Sequence, residues 1–138
     1  MKILVAVDGS KASLKAVQLL IDHSDWYRDK PAVELVTVHL PVPKVARLPK
    51  AELDRYYVEE GEGMLAAAKK KLDSAGIAYQ PHVLVGAVAE AIVKHAKDKG
   101  CDLIYIGTRG MSELGKALVG STATKVLHIS DTPVLLVK

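Results

Sequence analysis

Short apolar runs alternate with longer amphipathic stretches along this chain. The four stretches between the runs repeat apolar residues every three or four positions, which is typical of helices with one buried face. Strands that alternate with helices predict a parallel sheet covered by helices on both faces. The predicted strands are Ile3–Val7, Val33–Val38, Val83–Val85, Leu103–Ile106 and Val134–Val137.

Glycines mark two predicted helix ends and one helix start. Gly76 and Gly100 follow the second and third helical patterns, where a residue in the left-handed conformation often stops a helix. Gly120 opens the fourth pattern, which continues through Ala123 and Val126. We therefore predict that two helices end near residues 76 and 100 and that another begins near residue 120.

Two prolines indicate the order of the strands. Pro81 lies inside the third strand pattern, and Pro133 opens the fifth. Because proline cannot donate a hydrogen bond within a central ladder, both strands are predicted at the edges of the sheet. The first and fourth strands, which are fully apolar, are then placed in the middle. We predict an open five-stranded sheet with the order 3-2-1-4-5, which fits better than 2-1-3-4-5 and places the switch point between the first and fourth strands.

A glycine-rich loop follows the predicted fourth strand, at the edge where open α/β sheets bind ligands. Gly107 and Gly110 flank Arg109, and we expect them to adopt positive φ so that the backbone can approach a ligand closely. Residues 120–122 read Gly-Ser-Thr, and their N–H groups are predicted to be unpaired donors that attract an anion. One helix dipole contributes only about 0.3–1 kcal/mol at an exposed site. Arg109 and the two hydroxyls are therefore needed as further donors.

The same loop contains a near match to a P-loop. Gly110, Gly115 and Lys116 follow the pattern Gly-x4-Gly-Lys, but Ala117 stands where a Mg²⁺-binding Ser or Thr is required. A P-loop also joins strand and helix directly, whereas the helix here is predicted to begin only near Gly120. A Walker A site is therefore disfavoured, although Lys116 stays a candidate phosphate ligand.

The turn after the first strand supplies a candidate carboxylate. Asp8 is placed to accept hydrogen bonds from a ribose hydroxyl or to hold a metal-bound water. Asp-Gly-Ser is also a common turn between a strand and a helix, in which Ser10 would act as the helix cap. The sequence alone leaves both interpretations of Asp8 open.

Composition narrows the class of protein. A chain of 138 residues with 49% hydrophobic and 25% charged residues is predicted to form a single domain over residues 1–138. A net charge of +3, with one Trp and no Phe, argues against a nucleic-acid surface. The first apolar run is too short for a signal peptide or a membrane span, and the single Cys101 is predicted to be reduced and partly buried. We therefore expect a cytoplasmic protein without membrane insertion.

Catalytic and metal-binding residues are not evident in the sequence. The five histidines are not spaced along the chain like zinc ligands, and no Gly-x-Ser-x-Gly elbow occurs. No catalytic residue is assigned, and a metal site is not predicted from spacing.

The glycine motif of this loop resembles that of a known protein family. With its motif Gly-x2-Gly-x9-Gly-Ser, carried by Gly107, Gly110, Gly120 and Ser121, the chain resembles the ATP-binding members of the universal stress protein family. The resemblance extends over the whole chain. It includes Val7-Asp8-Gly9-Ser10, Val38-His39-Leu40, Val83–Gly86 and the terminal Thr132–Val137.

This resemblance implies a Rossmann-like fold, of the adenine nucleotide alpha hydrolase type, with ATP as the ligand. Mg²⁺ could accompany the nucleotide. The resemblance also implies a homodimer formed through the C-terminal edge strand Val134–Val137, an apolar edge that needs covering. The implied nucleotide contacts are Asp8, the backbone at Leu40, Gly107, Thr108, Arg109, Gly110, Gly120, Ser121 and Thr122.

Three functions fit these observations. The first is an ATP-binding regulatory protein of the stress response, a homodimeric switch or adaptor that recruits a protein partner not named by the sequence. The second is a slow ATPase or phosphotransfer enzyme in which Asp8 positions Mg²⁺ and Arg109 stabilises charge. The third is a structural dimer that binds no nucleotide.

Overall fold

The strands lie close to their predicted positions. The structure is a computed structural model that describes residues 1–43, 47–109 and 119–138. The third strand begins four residues before the predicted run, because an edge strand tolerates polar residues that the apolar pattern does not detect. The strands are β1 (Lys2–Ala6), β2 (Ala32–His39), β3 (Tyr79–Val85), β4 (Leu103–Gly107) and β5 (Val134–Val137).

The helices follow the amphipathic patterns of the sequence. They are α1 (Lys11–Asp22), α2 (Lys50–Ser74), α3 (Val88–Asp98) and α4 (Ser121–Ile129), and a short 3₁₀ turn spans Ser24–Trp26. The predicted stops of α2 and α3 are confirmed, since Gly76 and Gly100 both have positive φ, +67° and +63°. None of the helices in the described part of the chain is long and apolar enough to cross a bilayer.

The sheet is parallel throughout and has the order β3-β2-β1-β4-β5, which confirms the predicted topology. Pro81 lies in the edge strand β3, and Pro133 directly precedes the edge strand β5. In the centre, β1 pairs with β4 from Ile3 opposite Leu103 to Ala6 opposite Ile106. The loops that follow β1 and β4 therefore leave the sheet side by side.

Two apolar layers enclose the sheet. Because side chains alternate between the two faces of a strand, Ile3 and Val5 face α1 and α2, whereas Leu4 faces α3 and α4. Each layer is completed by buried residues from its helices, such as Leu65 of α2 and Ile92 of α3. This packing holds the carboxyl ends of the central strands in place.

Candidate functional site

The turn after β1 is built by its own polar side chains. Asp8 Oδ1 accepts the Ser10 N–H at 2.9 Å, and Ser10 Oγ accepts the Ser13 N–H at 3.1 Å, which caps α1. Ser13 Oγ accepts the Asp8 N–H at 3.2 Å and donates to the Ser10 carbonyl at 3.0 Å. The turn thus uses Asp8 Oδ1, and the half-buried carboxylate stays at the edge of the sheet.

Helix α2 closes over this turn. Gly9 has φ +82°, and a Cβ built there would lie 3.4 Å from Met64 Cα. Thr37 Oγ1 in turn donates to Met64 Sδ at 3.3 Å. A glycine is required at position 9 both for its backbone conformation and for the close approach of α2.

The end of β2 presents an aromatic cluster beside the predicted Leu40 contact. His39 Nδ1 lies 2.7 Å from the Leu40 carbonyl oxygen, and the Leu40 side chain is 63% exposed. The His39 ring packs edge-on against Tyr56 and Tyr57, at centroid distances of 5.5 and 5.2 Å. Both tyrosines come from the first turns of α2, and sequence reasoning did not assign them to the site.

Gly107 has a different role from the predicted one. It is the buried last residue of β4, where it pairs with Val137, and it does not have positive φ, so that prediction is wrong. The strand continues through it, because the Thr108 N–H donates to the Val137 carbonyl at 2.9 Å. A Cβ at Gly107 would lie 3.2 Å from the Ala12 carbonyl oxygen, so the glycine allows α1 to pack against β4. Gly110, predicted to share this conformation, lies outside the described residues.

Gly120 is the N-cap of α4 and is tied to the end of β4. Its N–H donates to the Thr108 carbonyl at 2.5 Å, so the prediction that this N–H is unpaired is wrong. A Cβ at Gly120 would lie 3.1 Å from the same oxygen. Ser121 and Thr122 occupy the first turn of α4, as predicted. The hydrogen bond between Thr108 and Gly120 brings the start of α4 to the end of β4.

A positively charged cleft opens beside this junction. It has a volume of ≈ 350 Å³ and includes Lys15, Arg109 and Lys138 in its lining. Thr108 lines the cleft and is buried, whereas Arg109 is exposed. The potentials of several cations sum in such a concave surface and attract anions. Lys116, the other candidate cation, lies outside the described residues.

A second cluster of polar residues lies in the layer between the sheet and α3. Glu34 of β2 is buried, and its Oε2 lies 2.5 Å from His82 Nε2 and 3.4 Å from His95 Nε2. Sequence reasoning missed this cluster because Glu34 is 48 residues from His82 and 61 from His95. The only sequence signal is a charged residue within the apolar pattern of the second strand.

Burial and pairing oppose each other in this cluster, and the pKa values of Glu34 and His95 both end below their ordinary values. Burial raises the pKa of Glu34, but the hydrogen bonds and positive charge of His95 and His82 outweigh it and hold that pKa below its ordinary value. Burial lowers the pKa of His95, and the neighbouring His82 lowers it further against the opposing effect of Glu34. The cluster therefore favours an ionised carboxylate beside a neutral imidazole at His95.

The comparison with known families agrees with this architecture. A model described as the universal stress protein family matches residues 1–138. The chain belongs to the universal stress protein family. It is 32% identical over 145 residues to Universal stress protein YxiE from Bacillus subtilis, with 99% of this chain and 98% of that protein aligned. The predicted family is thus confirmed.

Solved structures of universal stress proteins share the fold. The structure of MJ0577 from Methanocaldococcus jannaschii superposes with a TM-score of 0.84 at 31% identity, covering 99% of this chain and 94% of that one. A universal stress protein solved in complex with cAMP superposes with a TM-score of 0.74 at 26% identity, covering 100% and 97% of the two chains. The second of these relatives binds an adenine nucleotide.

Proposed function

We propose that this universal stress protein binds ATP at the carboxyl ends of β1 and β4 and acts as a nucleotide-dependent regulatory homodimer. The observation that carries the proposal is the convergence of two loops at the switch point of the sheet. The half-buried Asp8 follows β1, while Thr108 of the neighbouring strand end is bonded to the start of α4. Open α/β sheets bind their ligands in this position.

The nucleoside is proposed to lie on the β1 and β2 side of the site. Asp8 would accept hydrogen bonds from the ribose hydroxyls, because only Oδ1 is used by the turn. The backbone at Leu40 would contact the adenine, beside the rings of His39 and Tyr57. Aromatic rings offer a purine a flat apolar surface.

The phosphates are proposed to lie between the end of β4 and the start of α4. The first-turn N–H groups and hydroxyls of Ser121 and Thr122 would donate to them, together with the loop from Gly107 to Gly110. The cleft lined by Lys15, Arg109 and Lys138 adds positive charge beside this position. A triphosphate carries more negative charge than a monophosphate, so this arrangement favours ATP, with Mg²⁺ as an accompanying ion. The relative that binds cAMP supports the adenine nucleotide class.

The dimer is proposed to form through β5. This strand lies at the edge of the sheet, so one row of its backbone groups faces away from the other strands. The exposed apolar side chains of Leu127 and Ile129 lie on the preceding helix α4. Pairing of two β5 strands would cover this edge. Sedimentation velocity of the wild type and of a Leu136→Pro variant tests this part of the proposal, because the backbone groups of Pro133 and Val137 bond to β4 and the alternating N–H of Leu136 therefore faces the open edge.

The compartment and output are parts of the same proposal. Cys101, predicted to be reduced and partly buried, is free and buried, which suits the reducing cytoplasm. We assign no catalytic residue, and the output of nucleotide binding is proposed to be recruitment of a protein partner by the dimer.

The nucleotide site is tested by thermal unfolding of the nucleotide-stripped protein with Mg-ATP, AMP or cAMP. Occupancy at about 100 times Kd stabilises a protein by about 2.7 kcal/mol, which raises Tm by roughly 5–10 °C for a chain of this size. The proposal expects the largest shift with Mg-ATP. No shift with any of the three at millimolar concentration would overturn the proposal. A larger shift with AMP or cAMP than with Mg-ATP would show that ATP is not the preferred ligand.

A charged variant locates the site. Ser121→Asp places a carboxylate in the first turn of α4, where it favours the helix dipole but repels phosphate. We expect this variant to fold and to lose the Mg-ATP shift. Ser74→Asp introduces the same charge at an exposed position at the far end of α2 and is expected to keep the shift. Gly120 is a poor probe, since any side chain there presses on the Thr108 carbonyl.

A further inference from the structure

The cluster of Glu34, His82 and His95 brings three metal-ligating side chains to one point, away from the proposed nucleotide site. The ligand atoms of all three lie within 4.8 Å of one another. We propose that these residues form a binding site for a divalent transition-metal ion of the zinc class. The ion would sit in the layer between α3 and the β2–β3 side of the sheet.

One of the two nitrogen–oxygen distances already matches a bound zinc ion, and the other is shorter. Zn–N and Zn–O bonds of about 2.0–2.2 Å in a tetrahedron place neighbouring ligand atoms roughly 3.3–3.6 Å apart. His95 Nε2 already lies 3.4 Å from Glu34 Oε2. His82 Nε2 lies at 2.5 Å from the same oxygen and must withdraw by nearly 1 Å to admit the ion.

The placement of the three residues permits this movement. The side chains of Glu34 and His95 are only 9% and 10% exposed, and packing in the apolar layer holds them in position. His82 is 24% exposed and belongs to the edge strand β3, which has a neighbouring strand on one side only. The site thus has two fixed ligands and one adjustable ligand, and the exposed side of His82 provides a path from solvent.

The donor set selects the class of metal. Two imidazole nitrogens and one carboxylate oxygen suit Zn²⁺, whereas Ca²⁺ and Mg²⁺ take oxygen ligands. A set of three protein ligands leaves the fourth tetrahedral position for water. Glu34 also supplies a negative charge in a buried position, which a divalent cation compensates.

The site is separate from the proposed nucleotide site. Glu34 of β2 pairs with Leu4 of the neighbouring strand β1, and Leu4 precedes Asp8 by four residues. Four extended residues at about 3.3 Å each place the cluster some 13 Å along the sheet from Asp8. Metal binding here should therefore persist in the Ser121→Asp variant, which separates this proposal from the proposed function.

Titration of the chelator-treated, tag-free protein with Zn²⁺ by calorimetry, and with Co²⁺ by visible absorption, tests the site. We expect a single ion per chain and the strong d–d bands of four-coordinate Co²⁺. His82→Gln and Glu34→Gln should each weaken Zn²⁺ binding by more than about tenfold, because even outer-shell partners of metal ligands contribute that much. His128→Gln removes an exposed histidine from α4 and should leave the affinity unchanged.

The outcomes separate a metal site from a simple ion pair. Absence of Zn²⁺ binding, or binding that His82→Gln leaves intact, would overturn the proposal and leave the cluster as a buried carboxylate paired with two histidines. His82 is the decisive position, because a partly exposed side chain can be replaced with little effect on folding. Circular dichroism and a melting curve of each variant verify the fold before titration.

Discussion

Gly107 at the end of β4 packs directly against the backbone of Ala12 in α1. A Cβ at Gly107 would lie 3.2 Å from the Ala12 carbonyl oxygen and 3.5 Å from Ser13 Cα. The first glycine of the Gly-x2-Gly-x9-Gly-Ser motif is therefore required for the packing of α1 against β4. Its role can be separated from ligand binding by experiment.

Gly107→Ala is expected to destabilise the nucleotide-free protein. The added methyl group must displace the first turn of α1, and overpacking of this kind costs about 1–3 kcal/mol. Urea unfolding of the nucleotide-stripped wild type and variant measures the difference. Equal stability combined with weaker ATP binding would show instead that the position acts on the ligand and not on packing.

Two glycines in α2 are expected to respond to alanine in opposite directions. A Cβ at Gly61 would lie 2.3 and 2.5 Å from the two methyl carbons of Val83, so α2 touches β3 there. A Cβ at Gly63 has nothing within 4 Å. Gly63→Ala should stabilise the protein by roughly 0.5–1 kcal/mol through helix propensity. Gly61→Ala should destabilise it despite the same gain, because a third contact, 2.9 Å to Val83 Cβ, stays in place whichever way the side chain rotates.

Thermal melts of the two α2 variants beside the wild type measure this contrast. The pair is matched because both residues lie in one helix and receive the same substitution. A Gly61→Ala variant as stable as Gly63→Ala would contradict the close packing of α2 on β3.

Asp8→Asn is expected to keep the fold and weaken nucleotide binding. Asparagine keeps an Oδ1 acceptor for the Ser10 N–H, so the turn after β1 is preserved. Hydrogen bonds to a charged group exceed neutral ones by about 1–1.5 kcal/mol, which corresponds to a loss of roughly five- to thirteenfold in affinity for Mg-ATP. Calorimetric titration measures the affinity.

Asp8→Ala serves as the control for this prediction. It removes the turn acceptor as well as the charge, so it should also lower Tm, by contrast with Asp8→Asn. Unchanged Mg-ATP affinity in both variants would remove Asp8 from the proposed site.

Tyr105 is expected to make stability fall at high pH. Burial, and then the hydrogen bond with Tyr27, raise the pKa of Tyr105 well above its ordinary value of 10.0. A folded-state pKa above the unfolded value gives stability that is fully present below pH 10 and is lost as the pH rises toward the folded value. At pH 11 this loss is about 1.4 kcal/mol, because only the unfolded chain ionises.

Urea unfolding at pH 8 and pH 11 tests this contribution. Tyr105→Phe should be less stable than the wild type at pH 8 by about 1 kcal/mol, the net value of one hydrogen bond. The gap should close or reverse at pH 11, since the variant has no phenol at this position. A gap of constant size at both pH values would contradict the shifted ionisation of Tyr105.

Part of the candidate site could be predicted and part could not. The Asp8 turn and the start of α4 follow from glycine and cap residues, whose preferences are local. The pairing of the Gly120 N–H with Thr108 and the extended φ of Gly107 could not be predicted, because both depend on neighbouring segments. The positions of Tyr56 and Tyr57 beside His39 likewise depend on where α2 crosses the sheet.

The sequence by itself determined the order of the strands and the ends of α2 and α3. Pro81 and Pro133 restrict their strands to the edges, and Gly76 and Gly100 stop their helices, because each effect acts on the residue's own backbone. The tertiary structure alone decided which distant side chains meet. Glu34 reaches His82 and His95 only because β2 and β3 pair and α3 packs across them, and contacts of that kind leave no regular spacing in the sequence.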